Sequence, residues 1–418
     1  MVKNEQTPKK RFYINTVMQY VMTFARYVFP LITFPYLTRV LEPDTYGIIT
    51  YMTSTIVYFQ IFIDFGFNLS ATKDIAEHQS DNEYIGAVTG TVIQSKILLF
   101  MSSMAAYAVM ILFIPILSNN MLLSILYMLS VALSIWLPDF LFRGIEKMEI
   151  ITIRFLLSKS VTTALTFVAV KSKDDILWIP ILNIIGSLIA IGLTWYHIKF
   201  ILQIRTKYGS FADVWKNVSS SGVYFLSTFA TTAFGATNTF MLGAMALPEA
   251  QIAYWGVSFN IISAAQSLYS PIVNSLYPHM VAKRDFKLVK KILYIFVPAI
   301  MVTAAAVFFF SDFVIGVFSG TQYLDAVPVF RGLLPVLVFS FPAMVIGFPV
   351  LGVLGKVKET TATTIISAVF HILGLILLIV IGKFSVLNVA ILRSVTEFVL
   401  LGTRGYVLFD RRRRGKTL

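Results

Sequence analysis

Long apolar runs broken by short polar turns dominate the pattern along the chain. A membrane-crossing helix needs roughly 20 mostly apolar residues. Runs of that kind fall at 12–39, 46–68, 85–116, 120–142, 150–170, 176–202, 218–246, 251–278, 289–316, 326–354, 360–382 and 385–409. The pattern predicts an all-α polytopic membrane protein with twelve transmembrane helices, several long enough to tilt or project beyond the bilayer. The turns are short. The longest, 203–217, is polar and basic and sits midway, dividing an N-terminal six-helix lobe (1–202) from a C-terminal one (218–418). An even number of crossings per lobe gives both the same orientation, as in parallel repeats about an axis along the membrane normal. LEPDTYG after the first span has a loose echo in ALPEAQIAYWG after the seventh.

Within the spans, polar residues recur at helical spacing, which places them on single faces. Span one carries Asn15, Gln19, Thr23, Arg26, Pro30 and Thr33; span two carries Thr53, Gln60, Asp64 and Asn68. Span seven offers Ser220, Tyr224, Ser227, Thr231 and Asn238, and span eight Asn260, Ser263, Ser267, Ser270, Asn274 and Tyr277. Such stripes either line a water-filled cavity or serve close helix packing through Ser and Thr hydroxyls. Their appearance at matching positions in both halves favours the cavity.

Charge orients the chain and then sharpens the chemistry. The net charge of +13 suits the positive-inside bias of cytoplasmic loops better than a nucleic-acid partner, and none is expected. One set of connections holds Lys73, Arg143, Lys147, Lys199, Arg205, Lys207, Lys216, Lys283, Arg284, Lys287, Lys290, Lys291, Lys356 and Lys358. The opposite set holds only Lys171, Lys173 and Lys383, with Arg39 and Arg331 at span ends. Both termini, including the RRRR run at 411–414, are therefore expected to be cytoplasmic. The basic N-terminus (Lys3, Lys9, Lys10, Arg11) runs into an apolar segment too long for a signal-peptide core, which reads as a retained first span.

Cations also lie inside the spans: Arg26 near the middle of span one, Lys96 on a face with Thr89, Ser103 and Tyr107, Lys159 with Thr152, Thr163 and Thr166, and Arg393 one turn from Glu397. Each costs at least ~2.5–3.5 kcal/mol at the bilayer centre, so each needs compensation. Intramembrane acids are fewer: Asp64, Asp139 and Glu397. Structural pairing fits Arg393 with Glu397, and Asp139 with Arg143 or Arg154. A net positive, hydroxyl-lined interior remains, suited to an anionic, sugar-rich ligand, because Arg and Lys bind diphosphate. Asp64 and Glu397 are the deep carboxylates available for coupling to H+ or Na+.

Composition removes other chemistry. With 57% hydrophobic and 13% charged residues, the chain carries more apolar surface than a soluble protein of this length could hide. Cys is absent, the four His are scattered, and no Gly-rich phosphate loop, HExxH or Cys/His cluster exists, so no cofactor is expected. Catalysis is not expected either. A membrane-embedded polysaccharide polymerase or glycosyltransferase would need carboxylates or His on a sizeable loop.

FPYLTRVLEPDTYGIITY (34–51), followed by DFGFNLSATKDIAEH (64–78), resembles the N-terminal signature of bacterial Wzx-type polysaccharide-unit flippases. These belong to the multidrug/oligosaccharidyl-lipid/polysaccharide exporter superfamily. WLPDFLFRGIEKMEIITIR (136–154) is similar to their segment joining spans four and five, with Arg143 where the pattern has an uncharged polar residue. The resemblance implies that spans one, two, seven and eight line a central cavity. It implies alternating access by rocking of two lobes, moving an oligosaccharide repeat unit on undecaprenyl diphosphate to the outer leaflet for O-antigen or capsule assembly. Arg26 would then lead in binding the diphosphate, with Lys96, Lys159 and Arg393 as further cations. Asn238, Asn260, Ser263, Ser267 and Asn274 would offer hydrogen bonds to sugar hydroxyls. Membrane lipid is an implied partner; a polymer-assembly complex is compatible with transport, but nothing in the sequence encodes it. A cation-exporting antiporter of the same superfamily is the alternative, and the excess of buried cations argues against it.

Overall fold

The computed structural model describes residues 8–413, apart from the side chains at 8, 9, 12, 227, 230–234 and 410–413. The charges expected at Lys3, Lys9 and 411–414, and Ser227 and Thr231 of the span-seven stripe, lie outside that description. The described chain is helical throughout and has no strand. It groups into two compact units, one of residues 1–41 with 48–246, the other of 42–47 with 247–418. Each of the twelve predicted segments coincides with a helix or a broken helix, and the molecule is an all-α polytopic membrane protein. The grouping differs from the sequence division at 203–217, because the helix beginning at Phe211 packs with the first unit.

In the first unit the order is α1 (Pro8–Val40), α2 (Pro43–Asp64, whose first turn, to Gly47, groups with the second unit), α3 (Phe67–Glu77), α4 (Asn82–Phe113), α5 (Pro115–Asn119) and α6 (Met121–Ser134). There follow α7 (Asp139–Gly144), α8 (Met148–Ala169), α9 (Trp178–Tyr196) and α10 (Phe211–Ala244). The second unit holds α11 (Glu249–Ser267), α12 (Tyr269–Lys283), α13 (Phe286–Phe309), α14 (Ser311–Ser319), α15 (Val327–Val345), α16 (Val357–Val380) and α17 (Val386–Arg413). Among the described residues, nine helical stretches are long and apolar enough to cross a membrane. Those nine do not include α1, α10 or the α11–α12 pair, three of the four segments in which the sequence shows polar stripes.

Breaks interrupt several predicted continuous spans. Span two ends at Asp64, where Phe65 (φ 38°) and Gly66 (φ 78°) enter the left-handed region. A Cβ on Gly66 would stand 2.6 Å from the Phe225 amide nitrogen of α10, so only glycine fits there. Phe65 pays its backbone strain back by stacking on Phe225, with centroids 4.5 Å apart and planes within 5°. Span four breaks before Asp139 at Pro138. Span ten bends at Gly347, whose ψ of −123° leaves the helical region.

A core of Met22, Phe67, Ile75, Phe140, Phe142, Ile151 and Ile198 ties α1, α3, α7 and α8 together in the first unit. Tyr269, Leu276, Met280, Phe341 and Val345 centre the second. Large apolar side chains also cover the outside: Leu112 is 80% exposed and Tyr294 85%. For a chain of this composition, that surface is the one presented to lipid.

Candidate functional site

Three helical faces line a half-open cavity of about 240 Å³ inside the first unit. From α8 come Ile151, Arg154, Phe155, Ser158, Lys159 and Thr162, at steps of three and one, a single stripe of that helix. From α9 come Asn183, Gly186, Ser187 and Ala190 in the same rhythm, and from α1 Met22 and Arg26, one turn apart. Ser130 of α6, Leu137, and Asp139 of α7 complete the wall. Gly186 permits the close approach of α8 and α9, since a Cβ there would lie 2.7 Å from Thr162 Cγ2.

Charge in this wall is unbalanced. Arg154, almost fully buried, forms an ion pair with Asp139 and donates to Thr194 Oγ1. Of the two partners the sequence left open for Asp139, the structure selects Arg154. Arg26 and Lys159 have no carboxylate partner among the described residues. The Arg26 guanidinium instead lies 5.8 Å from the Phe155 ring centroid and 4.0 Å from Met22 Sδ. Two cations beside four side-chain hydroxyls (Ser130, Ser158, Thr162, Ser187) and the Asn183 amide make a concave surface that can bind an anion and hydrogen-bond a polyol. Among the described residues, no group of three or more His, Cys, Asp or Glu could hold a metal ion.

The other sequence-predicted residues lie elsewhere. Lys96, expected as further cationic lining, is 2% exposed and closes onto Asp64 Oδ1 at 2.7 Å. Asp64 Oδ2 accepts from Gln60 Nε2 at 2.9 Å, and the same nitrogen reaches Ser134 Oγ at 3.0 Å. Both proposed ion-coupling carboxylates are therefore ion-paired, because Glu397 meets Arg393 at 2.6 Å, as its one-turn spacing predicts. Asn238 is buried in α10. In the second unit Asn260 donates to Tyr46 Oη at 3.2 Å and Ser267 to the Ala264 carbonyl at 2.6 Å. Ser263 is half-buried and Asn274 exposed on the same helical run, which breaks between them at Leu268.

Sequence reasoning missed Asn183 and Ser187, whose i, i+4 spacing in an otherwise apolar span was the available signal. It also missed Arg404 of α17, which is 8% exposed and donates to the Ala343 carbonyl at 2.6 Å and to Thr364 Oγ1 at 3.1 Å. Ala343 lies one turn before the Gly347 break, and its carbonyl also accepts from the Ile346 amide.

The model of a family described as "Polysaccharide biosynthesis protein" matches residues 13–283. A protein of Escherichia coli (strain K12) named "Putative O-antigen transporter" is 27% identical over 270 residues, 64% of this chain and 64% of its own length. One from Shigella dysenteriae with the same name is 26% identical over 273 residues, 64% of this chain and 66% of its own. The chain thus spans less than two thirds of the relatives it matches. Among solved structures, an inward-facing multidrug-resistance MATE transporter of the MOP superfamily superposes with TM-score 0.73 and 11% identity, covering 96% of this chain and 99% of that one. The lipid II flippase MurJ in an inward closed conformation gives 0.68 and 13%, covering 94% and 87%. At those identities the likeness is one of fold.

Proposed function

Because the chain belongs to the polysaccharide biosynthesis protein family, and is a multi-pass protein of the cytoplasmic membrane, we propose that it is a flippase for lipid-linked oligosaccharide units. The ligand in this reading is an oligosaccharide repeat unit on undecaprenyl diphosphate, moved from the inner to the outer leaflet by alternating access. The observation that carries it is the pair Arg26 and Lys159, uncompensated by any described carboxylate and set in one hydroxyl-lined cavity. Uncompensated cations in a membrane interior are expensive, and a diphosphate is the compensation that such a ligand brings. The relatives named "Putative O-antigen transporter", and a lipid II flippase of the same fold, support the same class of cargo.

Ion coupling at Asp64 would require H+ or Na+ to displace Lys96, and at Glu397 to displace Arg393. The role of these carboxylates is thus tied to the opening of two ion pairs. A multidrug-resistance transporter shares the fold, but three cations against one carboxylate make this cavity a poor host for a cation.

The test is a strain lacking this chain and any redundant flippase. Lipid-linked oligosaccharide should accumulate on the cytoplasmic side, and wild type should restore export while stably expressed Arg26→Ala does not. Normal polymer export in the deletion strain would refute the flippase reading. Full complementation by Arg26→Ala would refute the assignment of the cavity.

A further inference from the structure

One carboxylate stands in a cavity wall otherwise made of cations and uncharged groups. Asp139 opens α7 directly after Pro138, and its ion-pair partner is Arg154. Arg154 is held from two sides, by Asp139 and by Thr194 Oγ1, yet both members of the pair remain part of the cavity wall. Arg26, Lys159 and Arg154 against Asp139 leave a fixed charge of three minus one. A pair needed only to fasten α7 to α8 has no reason to line a cavity. An apolar pair of similar volume would fasten it at least as well.

We propose that Asp139 is a built-in counter-anion that competes with the ligand's phosphate groups for Arg154 and so keeps the ligand exchangeable. The proposal rests on the anionic-ligand reading above and adds the means of release. A carrier must let go on the far side of the membrane, so its site has to be favourable enough to fill and weak enough to empty. With Asp139 in place, Arg154 never stands as an unpaired buried charge when the cavity is vacated. Each departing phosphate hands Arg154 back to the carboxylate. Without Asp139, the same guanidinium could be neutralised only by retaining the ligand.

The charge count gives a sign for each variant. Asp139→Asn removes one negative charge from the wall and leaves Arg154 to the ligand. Arg154→Gln removes one positive charge and leaves a bare carboxylate facing the ligand. The double variant restores the original balance. Titrating detergent-solubilised full-length protein with inorganic pyrophosphate, free of divalent cations, reads these differences by calorimetry. Asp139→Asn should bind about tenfold tighter than wild type or more, and Arg154→Gln about tenfold weaker, as expected for one charge acting at close range in a poorly solvated site. The double variant should return to within about threefold of wild type. In a transport assay Asp139→Asn should lower both the half-saturating ligand concentration and the maximal rate, a split that a merely structural pair would not produce.

Asp139→Asn that elutes as native protein but binds pyrophosphate no tighter than wild type overturns the proposal. If that variant does not fold, Arg154→Gln and the double variant decide. Recovery of affinity in the double supports the counter-anion role, and its absence overturns it. Wild type that binds no pyrophosphate would sink the anionic-ligand reading along with this one. Wild-type binding with the wrong order among the variants sinks only the role of Asp139.

Discussion

Replacing Lys96 with Met tests whether the first unit depends on the ion pair that the structure places between α2 and α4. Lys96→Met keeps the side-chain volume and removes the charge, stranding the Asp64 carboxylate with Gln60 as its remaining donor. Taking one partner from a buried pair costs about 3–5 kcal/mol, because the other charge stays desolvated. The Lys96 side chain is 3% exposed but that of Asp64 is 26%, so water reaches the stranded carboxylate and the low end, about 3 kcal/mol, applies. For a unit of this size each kcal/mol moves the melting midpoint by roughly 2–4 °C, giving an expected drop of about 6–12 °C. Adding Asp64→Leu to Lys96→Met removes the stranded charge and should recover most of the loss. Thermal unfolding in detergent, followed by circular dichroism, reads all three proteins. A single variant melting within about 2 °C of wild type, or a double variant melting no higher than the single, would refute this account of the pair.

Further outcomes follow from particular contacts. The segment before α10 lies against glycines of α4: a Cβ on Gly86 would stand 2.0 Å from the Arg205 carbonyl oxygen, and one on Gly90 2.0 Å from that of Lys207. Gly86→Ala or Gly90→Ala should lift this segment and accelerate limited tryptic cleavage at Arg205 and Lys207 several-fold; an unchanged rate would show that it is not seated there. Asp213 closes the capping box of α10 opposite its N-cap Ser210, accepting from the Ser210 hydroxyl at 2.7 Å and the Ser210 amide at 2.8 Å, and these bonds hold its carboxyl below the usual range. A depressed carboxyl contributes stability above its unfolded value, near 3.9, and loses it as pH falls through the lower folded value. Hydrogen-exchange protection of the Ser210 amide should therefore be flat above about pH 4 and fall on further acidification, and a protection that rose there would contradict the cap.

Hydrophobic spacing made the helices legible, because an apolar run of membrane length has few other options in lipid. It also found the i, i+4 pair of Arg393 with Glu397, since partners on one helix are visible as a spacing. What spacing cannot supply is which faces meet. Lys96 and Asp64 lie 32 positions apart on different helices, so the closure of that cation onto an acid was hidden, as were Asn183 and Ser187 opposite Lys159. Helix breaks were not legible: the predicted span 120–142 runs across Pro138, where the structure interrupts it, while Pro30 and Pro35 lie inside the unbroken α1. Phe65–Gly66 depends on the backbone of α10 passing close by, a contact between residues about 160 positions apart that no local pattern records.

The uncompensated cations make a last prediction, on stability rather than transport. Lys159, half-buried, costs at least ~2.5–3.5 kcal/mol if left at membrane depth without a partner, whereas Arg26 is exposed and carries less of that penalty. That cost is a sizeable fraction of the whole stability of an ordinary domain, about 5–15 kcal/mol. An anion that fills the cavity should therefore stabilise the fold visibly. By linkage, pyrophosphate at about 100 times its dissociation constant adds about 2.7 kcal/mol, which corresponds to a rise of roughly 5–11 °C in the melting midpoint. Sulfate at equal ionic strength separates site binding from screening, because screening acts alike for both while a two-phosphate head can engage Arg26 and Lys159 together. Lys159→Gln should melt higher than wild type without ligand, having lost a costly charge, Arg26→Gln should change little because that side chain is exposed, and each should lose most of the pyrophosphate shift. Variants that melted lower without ligand, yet kept the full shift, would mean that these cations hold the fold and leave the anion to other residues.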